Sequence, residues 1–149
     1  MTTPVFESAP VFEAVRLDEV ELTAAPIDPA WIIDGEPVAR SGQWSCSPDT
    51  TTSTWVWDCT AGTFNWYFEQ DETIHVIEGE VVVKSAGNEP QVLRAGDAAL
   101  FYAGTWSEWH VPNYVRKHAI LRPHIPRPLW FVMRVTRKLR GKPRSTSLG

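Results

Sequence analysis

Of the titratable residues, Glu72 stands in the setting best suited to chemistry. It lies within Trp55 to His118, a stretch that holds Trp55, Trp57, Trp66, Trp106 and Trp109 of the chain's eight tryptophans. A carboxylate enclosed by aromatic side chains loses hydration, so it can act as a general acid or base, or anchor an ammonium or amide group. The structural alternative is that Glu72 accepts hydrogen bonds from Tyr67, Tyr102 or an indole, or pairs with Lys117 or Arg116, because a buried charge must have a partner. Other chemistries find little support. There is no phosphate-cradling glycine loop, no dinucleotide fingerprint and no defensible Ser/His/Asp set. Cys46 and Cys59 lack metal-ligand spacing and read as reduced, structural cysteines. Strand alternation turns His75 away from Glu72 and His110 away from Ser107, so both histidines read as surface or sheet-packing residues.

The elements that must position Glu72 are strands. Ile74, Val76, Val81, Val82 and Val83 are β-branched, and Gly79, Gly87-Asn88 and Gly96-Asp97 fall between the apolar runs. Strands are expected over 54–59, 64–69, 72–78, 80–85, 91–94, 98–102, 107–111 and 115–121, with Ala61-Gly62 as a turn and 86–89 closing a hairpin. Short strands at this spacing suggest a small antiparallel barrel or sandwich.

Glu72, then Gly79, a short hairpin, Gly96-Asp97, Tyr102 and Gly104 together resemble the two-motif pattern of the cupins. Phe64-x-Trp66-Tyr67 ahead of Glu72-Thr73, then Gly79-Glu80, Gly96-Asp97, Trp109 and Val115-Arg116-Lys117 resemble the ureidoglycine aminohydrolase-type cupins. That group includes the ethanolamine-utilisation Q-type cupins and many small bacterial proteins. The resemblance covers roughly Trp44 to Leu121 and implies an all-β, RmlC-like jelly-roll barrel. It also implies a divalent-metal site, manganese in the aminohydrolase, built from a His-x-His pair, a carboxylate and a later histidine. Glu72 takes the carboxylate position. The His-x-His positions fall on Asn65 and Tyr67, or on Trp66 and Phe68 if the turn is one residue shorter. Ser107 takes the later histidine position and Tyr102 that of the motif's proline. The expectation is therefore a barrel without the usual metal, with manganese or another divalent ion as the alternative. Its pocket would be lined by Trp66, Phe68, Glu72, Tyr102, Ser107 and Trp109, with Glu72 as the candidate catalytic residue. Two functions stay open: a cupin that binds a small polar metabolite, and an aminohydrolase-like enzyme acting on a nitrogenous one.

With 149 residues, the chain is expected to form one domain: an arm (1–54), the barrel core (55–122), and a proline-rich connection with a basic helix and tail (123–149). Six prolines make the arm irregular by pattern, and Val11-Phe12, Val15, Trp31-Ile32-Ile33 and Val38 are its expected anchors on the barrel. Beyond Pro128, Leu129, Val132, Met133 and Leu139, interleaved with Arg134, Arg137, Lys138 and Arg140, fit a basic amphipathic helix. Charge is uneven: all eighteen acidic residues precede Val115, whereas ten of the fourteen Lys/Arg follow it. The reading preferred on these grounds lays the basic tail on the acidic body of its own or a neighbouring subunit, ahead of anionic lipid or nucleic acid. A homodimer is expected. The start of the chain lacks the basic and apolar pattern of a signal peptide, and the expected location is the cytoplasm.

Overall fold

A computed structural model describes residues 12–139. In chain order these form β1 (Thr23–Ala24), a 3-10 turn (Pro29–Trp31), β2 (Ile32–Asp34), β3 (Ala39–Cys46), β4 (Ser53–Phe68), β5 (Asp71–Lys84), β6 (Gln91–Arg94), β7 (Ala98–Phe101), β8 (Thr105–Arg122) and α1 (Arg127–Leu139). The strands are antiparallel in the order β1-β3-β4-β8-β5-β6, with β2 also on β4 and β7 also on β5. This is the all-β jelly-roll barrel expected from the sequence, followed by one C-terminal helix.

Three of the expected strand pairs are single long strands. Ala61-Gly62 makes no turn: β4 runs through it with a register shift between Thr60 and Gly62. The consequence is visible in which side chains point inward. Trp57 and Cys59 are buried before the shift, and Phe64 and Phe68 after it, so the inward set passes from odd to even positions. In β5 the set passes from Glu72, Ile74 and Val76 to Val81 and Val83, across register shifts between Val76 and Val82. An extra residue at a bulge is what allows a bent strand to keep its apolar side chains inside. Gly79 sits in the second bulge with φ +73°, and a Cβ there would lie 1.9 Å from the Tyr114 carbonyl oxygen. Its role is close strand approach, with no reversal of the chain. In β8 the inward set stays odd throughout: Ser107, Trp109, Val111, Val115, Lys117 and Ala119.

The core joins these residues to Leu93 and to Ile27 of the arm, with Trp31, Ile32, Trp66, Phe101 and Leu121 packed against it. Each fully buried large apolar side chain contributes about 1.5–3 kcal/mol. The arm departs from its sequence reading in two ways. Ala39–Cys46 is a strand paired with β4, with one register shift between Gln43 and Ser45, although it lacks β-branched residues, because β4 offers a ladder along that length. Its anchors are Ile27, Trp31 and Ile32, whereas Phe12, Val15, Ile33 and Val38 are exposed and Val11 lies outside the described residues.

Candidate functional site

Glu72 enters the barrel from the start of β5 and is buried. Facing it from β8, the Lys117 ammonium lies 2.6 Å from Glu72 Oε1, with Lys117 only 3 % exposed. The same ammonium stands 4.8 Å from the Trp57 ring centroid and 4.6 Å from that of Trp109. Two indole faces and one carboxylate thus hold a cation in the barrel, an arrangement that offsets the desolvation of both charges. Lys117 faces inward because β8 alternates strictly from Val115 to Ala119: with those two inside, residue 117 must be inside too.

Around this pair the aromatic side chains interlock. Trp57 meets Phe64, Trp66 and Trp109 edge-on at 6.0–6.4 Å. Trp109 Nε1 donates to Ser107 Oγ at 2.9 Å, while the buried Trp57 Nε1 has no partner among the described residues. Phe68 and Phe101 stack at 4.4 Å with rings 7° apart.

Two clefts reach this core. The smaller, about 290 Å³, is lined by Trp31, Trp66, Phe68, Glu72 and Leu121, with Tyr67, Glu69 and Gln70 at its sides. The larger, about 680 Å³, is lined by Val83, Leu93, Phe101, Tyr102, Trp106 and Ser107 among others. Phe68 lines the first and Phe101 the second, so their stack stands between the two. The six residues read from the sequence as a single pocket are therefore divided. Trp66, Phe68 and Glu72 share the small cleft. Ser107 and Tyr102 belong to the large one, Tyr102 at its exposed rim, and Trp109 is buried.

Sequence reasoning placed Lys117 only as one of several partners for Glu72, and it missed Trp31 and Leu121. The alternation of Val115, Lys117 and Ala119 was the available signal for Lys117. Trp31 had none, because it arrives on a 3-10 turn in a proline-broken arm.

The residues at the metal positions do not fit a divalent ion. Asn65 is exposed, Tyr67 packs on Trp106, Ser107 accepts from Trp109, and Glu72 faces the Lys117 ammonium through Oε1. His75 is exposed and His110 bonds Thr63 Oγ1, both on the outer face. Among the described residues no three His, Cys, Asp or Glu side chains converge. A first-row ion needs several N or O donors around it.

Comparison with known proteins agrees with this architecture. The family model described as EutQ-like cupin domain matches residues 46–119. Among solved structures, the EutQ protein of Clostridium difficile superposes with TM-score 0.59 at 18 % identity, covering 74 % of this chain and 86 % of that one. A putative ethanolamine utilisation protein Q from Salmonella typhimurium gives TM-score 0.53 at 20 % identity, covering 70 % and 96 %. A Pseudomonas syringae protein of unknown function gives TM-score 0.63 at 27 % identity, covering 69 % of this chain but 45 % of that one. No curated protein matches the sequence.

Proposed function

We propose that this chain, whose residues 46–119 match the EutQ-like cupin domain model, binds a small polar organic metabolite beside Glu72, without the usual cupin metal. The observation that supports this reading is the buried ion pair of Lys117 and Glu72. It supplies the barrel with a fixed positive charge from the chain itself. A divalent ion at Glu72 would have to displace Lys117 or be repelled by it.

The ligand enters the small cleft, lays an apolar portion against Trp31, Trp66 and Phe68, and offers an N–H or O–H to Glu72. Only Oε1 of Glu72 is engaged by a described residue, which leaves Oε2 for the ligand. Lys117 orients the carboxylate and the indoles exclude water around it.

The test is elemental analysis of untagged protein purified without added metal, alongside native mass spectrometry for a co-purified organic mass and the expected homodimer. Near-stoichiometric manganese, iron, zinc or nickel would overturn the metal-free reading. Binding is then followed by tryptophan quenching over a panel of small amines, amides and hydroxy acids. Saturable quenching is expected, and its weakening in Trp66→Ala locates it. Saturation untouched by that change would place the ligand elsewhere.

The free Oε2 also supports the second reading, an aminohydrolase-like enzyme with Glu72 as acid or base, on a ureidoglycine-like metabolite. Glu72→Gln separates the two. An enzyme loses turnover while keeping most of its ligand affinity, whereas a binding protein loses affinity and shows no turnover to lose.

A further inference from the structure

The helix α1 has no home on its own barrel. Every described side chain from Arg127 to Leu139 is exposed, including Leu129, Trp130, Phe131, Val132, Met133, Val135 and Leu139. The described part of this segment, 127–139, is not covered by the chain's own acidic body, and the basic tail from 140 lies outside the described residues. Among the described residues, Arg127, Arg134 and Arg137 form no ion pair; Arg134 instead lies 5.1 Å from the Trp130 ring centroid.

At roughly 100° per residue, Leu129, Val132, Met133, Val135 and Leu139 fall on one side of the helix. Arg127, Arg134 and Arg137 fall on the other, within an arc of about 80°. No acidic residue follows Glu108, and Arg140, Lys142 and Arg144 extend the positive charge in sequence. No helix among the described residues is long and apolar enough to cross a membrane.

We propose that α1 is a peripheral docking element for an anionic lipid surface, lying in the headgroup layer with its apolar side down. Three observations favour lipid over other anionic partners. A nucleic acid would satisfy the arginines but offers no apolar medium for five aliphatic side chains. An acidic protein face has the same defect unless it also carries an apolar groove. A basic helix with five aliphatic side chains on one side is the composition that membrane interfaces retain, and Trp130, which falls within the arginine arc under Arg134, adds an indole at the level of the headgroups. The acidic barrel opposes this binding, but its repulsion is screened beyond about 8 Å at physiological salt. Pro123 and Pro126 lie in the connection between β8 and the helix, and no barrel side chain covers α1.

The test uses the full chain and sedimentation with extruded vesicles of phosphatidylcholine alone or mixed with phosphatidylglycerol. Binding is expected only to the anionic vesicles and should weaken as salt is raised. Two double variants divide the contributions: Arg134→Glu with Arg137→Glu, and Val132→Asp with Leu139→Asp. Each should lower partitioning about tenfold or more. Their thermal midpoints should match the parent, because all four side chains are exposed. Failure to sediment with anionic vesicles at low salt would overturn the proposal. So would equal binding to both vesicle types. A native mass that falls from dimer to monomer in either variant, with vesicle binding unchanged, would assign the helix to a second copy instead.

Discussion

Two carboxylates of the same barrel, Asp58 and Glu72, are buried and are treated in opposite ways. Asp58 in β4 points outward beneath the arm. It accepts from Arg40 Nε at 3.1 Å, from Arg40 Nη2 at 2.5 Å and from the Tyr114 hydroxyl at 2.9 Å, with Arg116 Nη1 3.8 Å away. Arg116 in turn donates to the Leu17 carbonyl, tying the arm down. Glu72 points inward, has one described partner, and borders a cleft. A structural charge has both oxygens taken, whereas one held ready keeps an oxygen open to a cleft. Both are compensated, as burial demands, but only at Asp58 are both carboxylate oxygens engaged by described residues.

The strongest way to break this comparison is to remove the inner cation. Lys117→Met leaves Glu72 buried with no described partner and should cost about 3–5 kcal/mol, read as a lower urea midpoint. The double variant Lys117→Met with Glu72→Gln should recover much of that loss, since it removes both charges. If the single variant were as stable as the parent, the ion pair would not organise the barrel. The outer site should respond less to the loss of any one partner. Tyr114→Phe deletes one hydrogen bond while both arginines remain, so about 0.5–1.5 kcal/mol is expected. A loss as large as that of Lys117→Met would show that the outer carboxylate is no better buffered than the inner one.

The alternation that separates the two sites was legible in β8, where Arg116, Lys117 and His118 point out, in and out in succession. It was not legible in β4 and β5. There the inward set changes parity at bulges, and glycines that read as turns proved to be places of bulging or close approach. Periodicity within each half strand was correct, but nothing local says that one strand continues through Gly62 or Gly79. The candidate site suffered for a different reason. Ser107 was placed beside Glu72 because one barrel interior was assumed, whereas the stack of Phe68 and Phe101 divides it. The contribution of Trp31 depends on how the arm folds back, which no spacing in the sequence encodes.

A smaller effect tests the outer face through His118. Its Nε2 accepts from Trp44 Nε1 at 3.1 Å, and burial, then the neighbouring His75, push its pKa below the usual histidine value. With the folded pKa depressed, the unfolded chain binds more protons as pH falls below about 6.5. The stability contributed by neutral His118 is therefore present above that pH and lost as pH drops toward the depressed value. Thermal midpoints between pH 7.5 and 5 should fall more steeply in the parent than in His118→Gln. Parallel slopes would remove His118 as a source of the pH dependence.

Cys59 feels a charge from each centre, Asp58 from one and Lys117 from the other. Its thiol pKa is pushed up to about 12, first by burial and then by Asp58, with Lys117 pulling the other way. A thiol so raised carries almost no thiolate at neutral pH, whereas Cys46 is exposed. A disulfide reagent should modify one cysteine per native chain quickly and the second only on unfolding. In Lys117→Met the lost cation would by itself make Cys59 still less reactive. Faster modification of Cys59 in that variant would therefore report opening of the barrel, and unchanged slow modification would mean that the indoles keep it closed without the lysine.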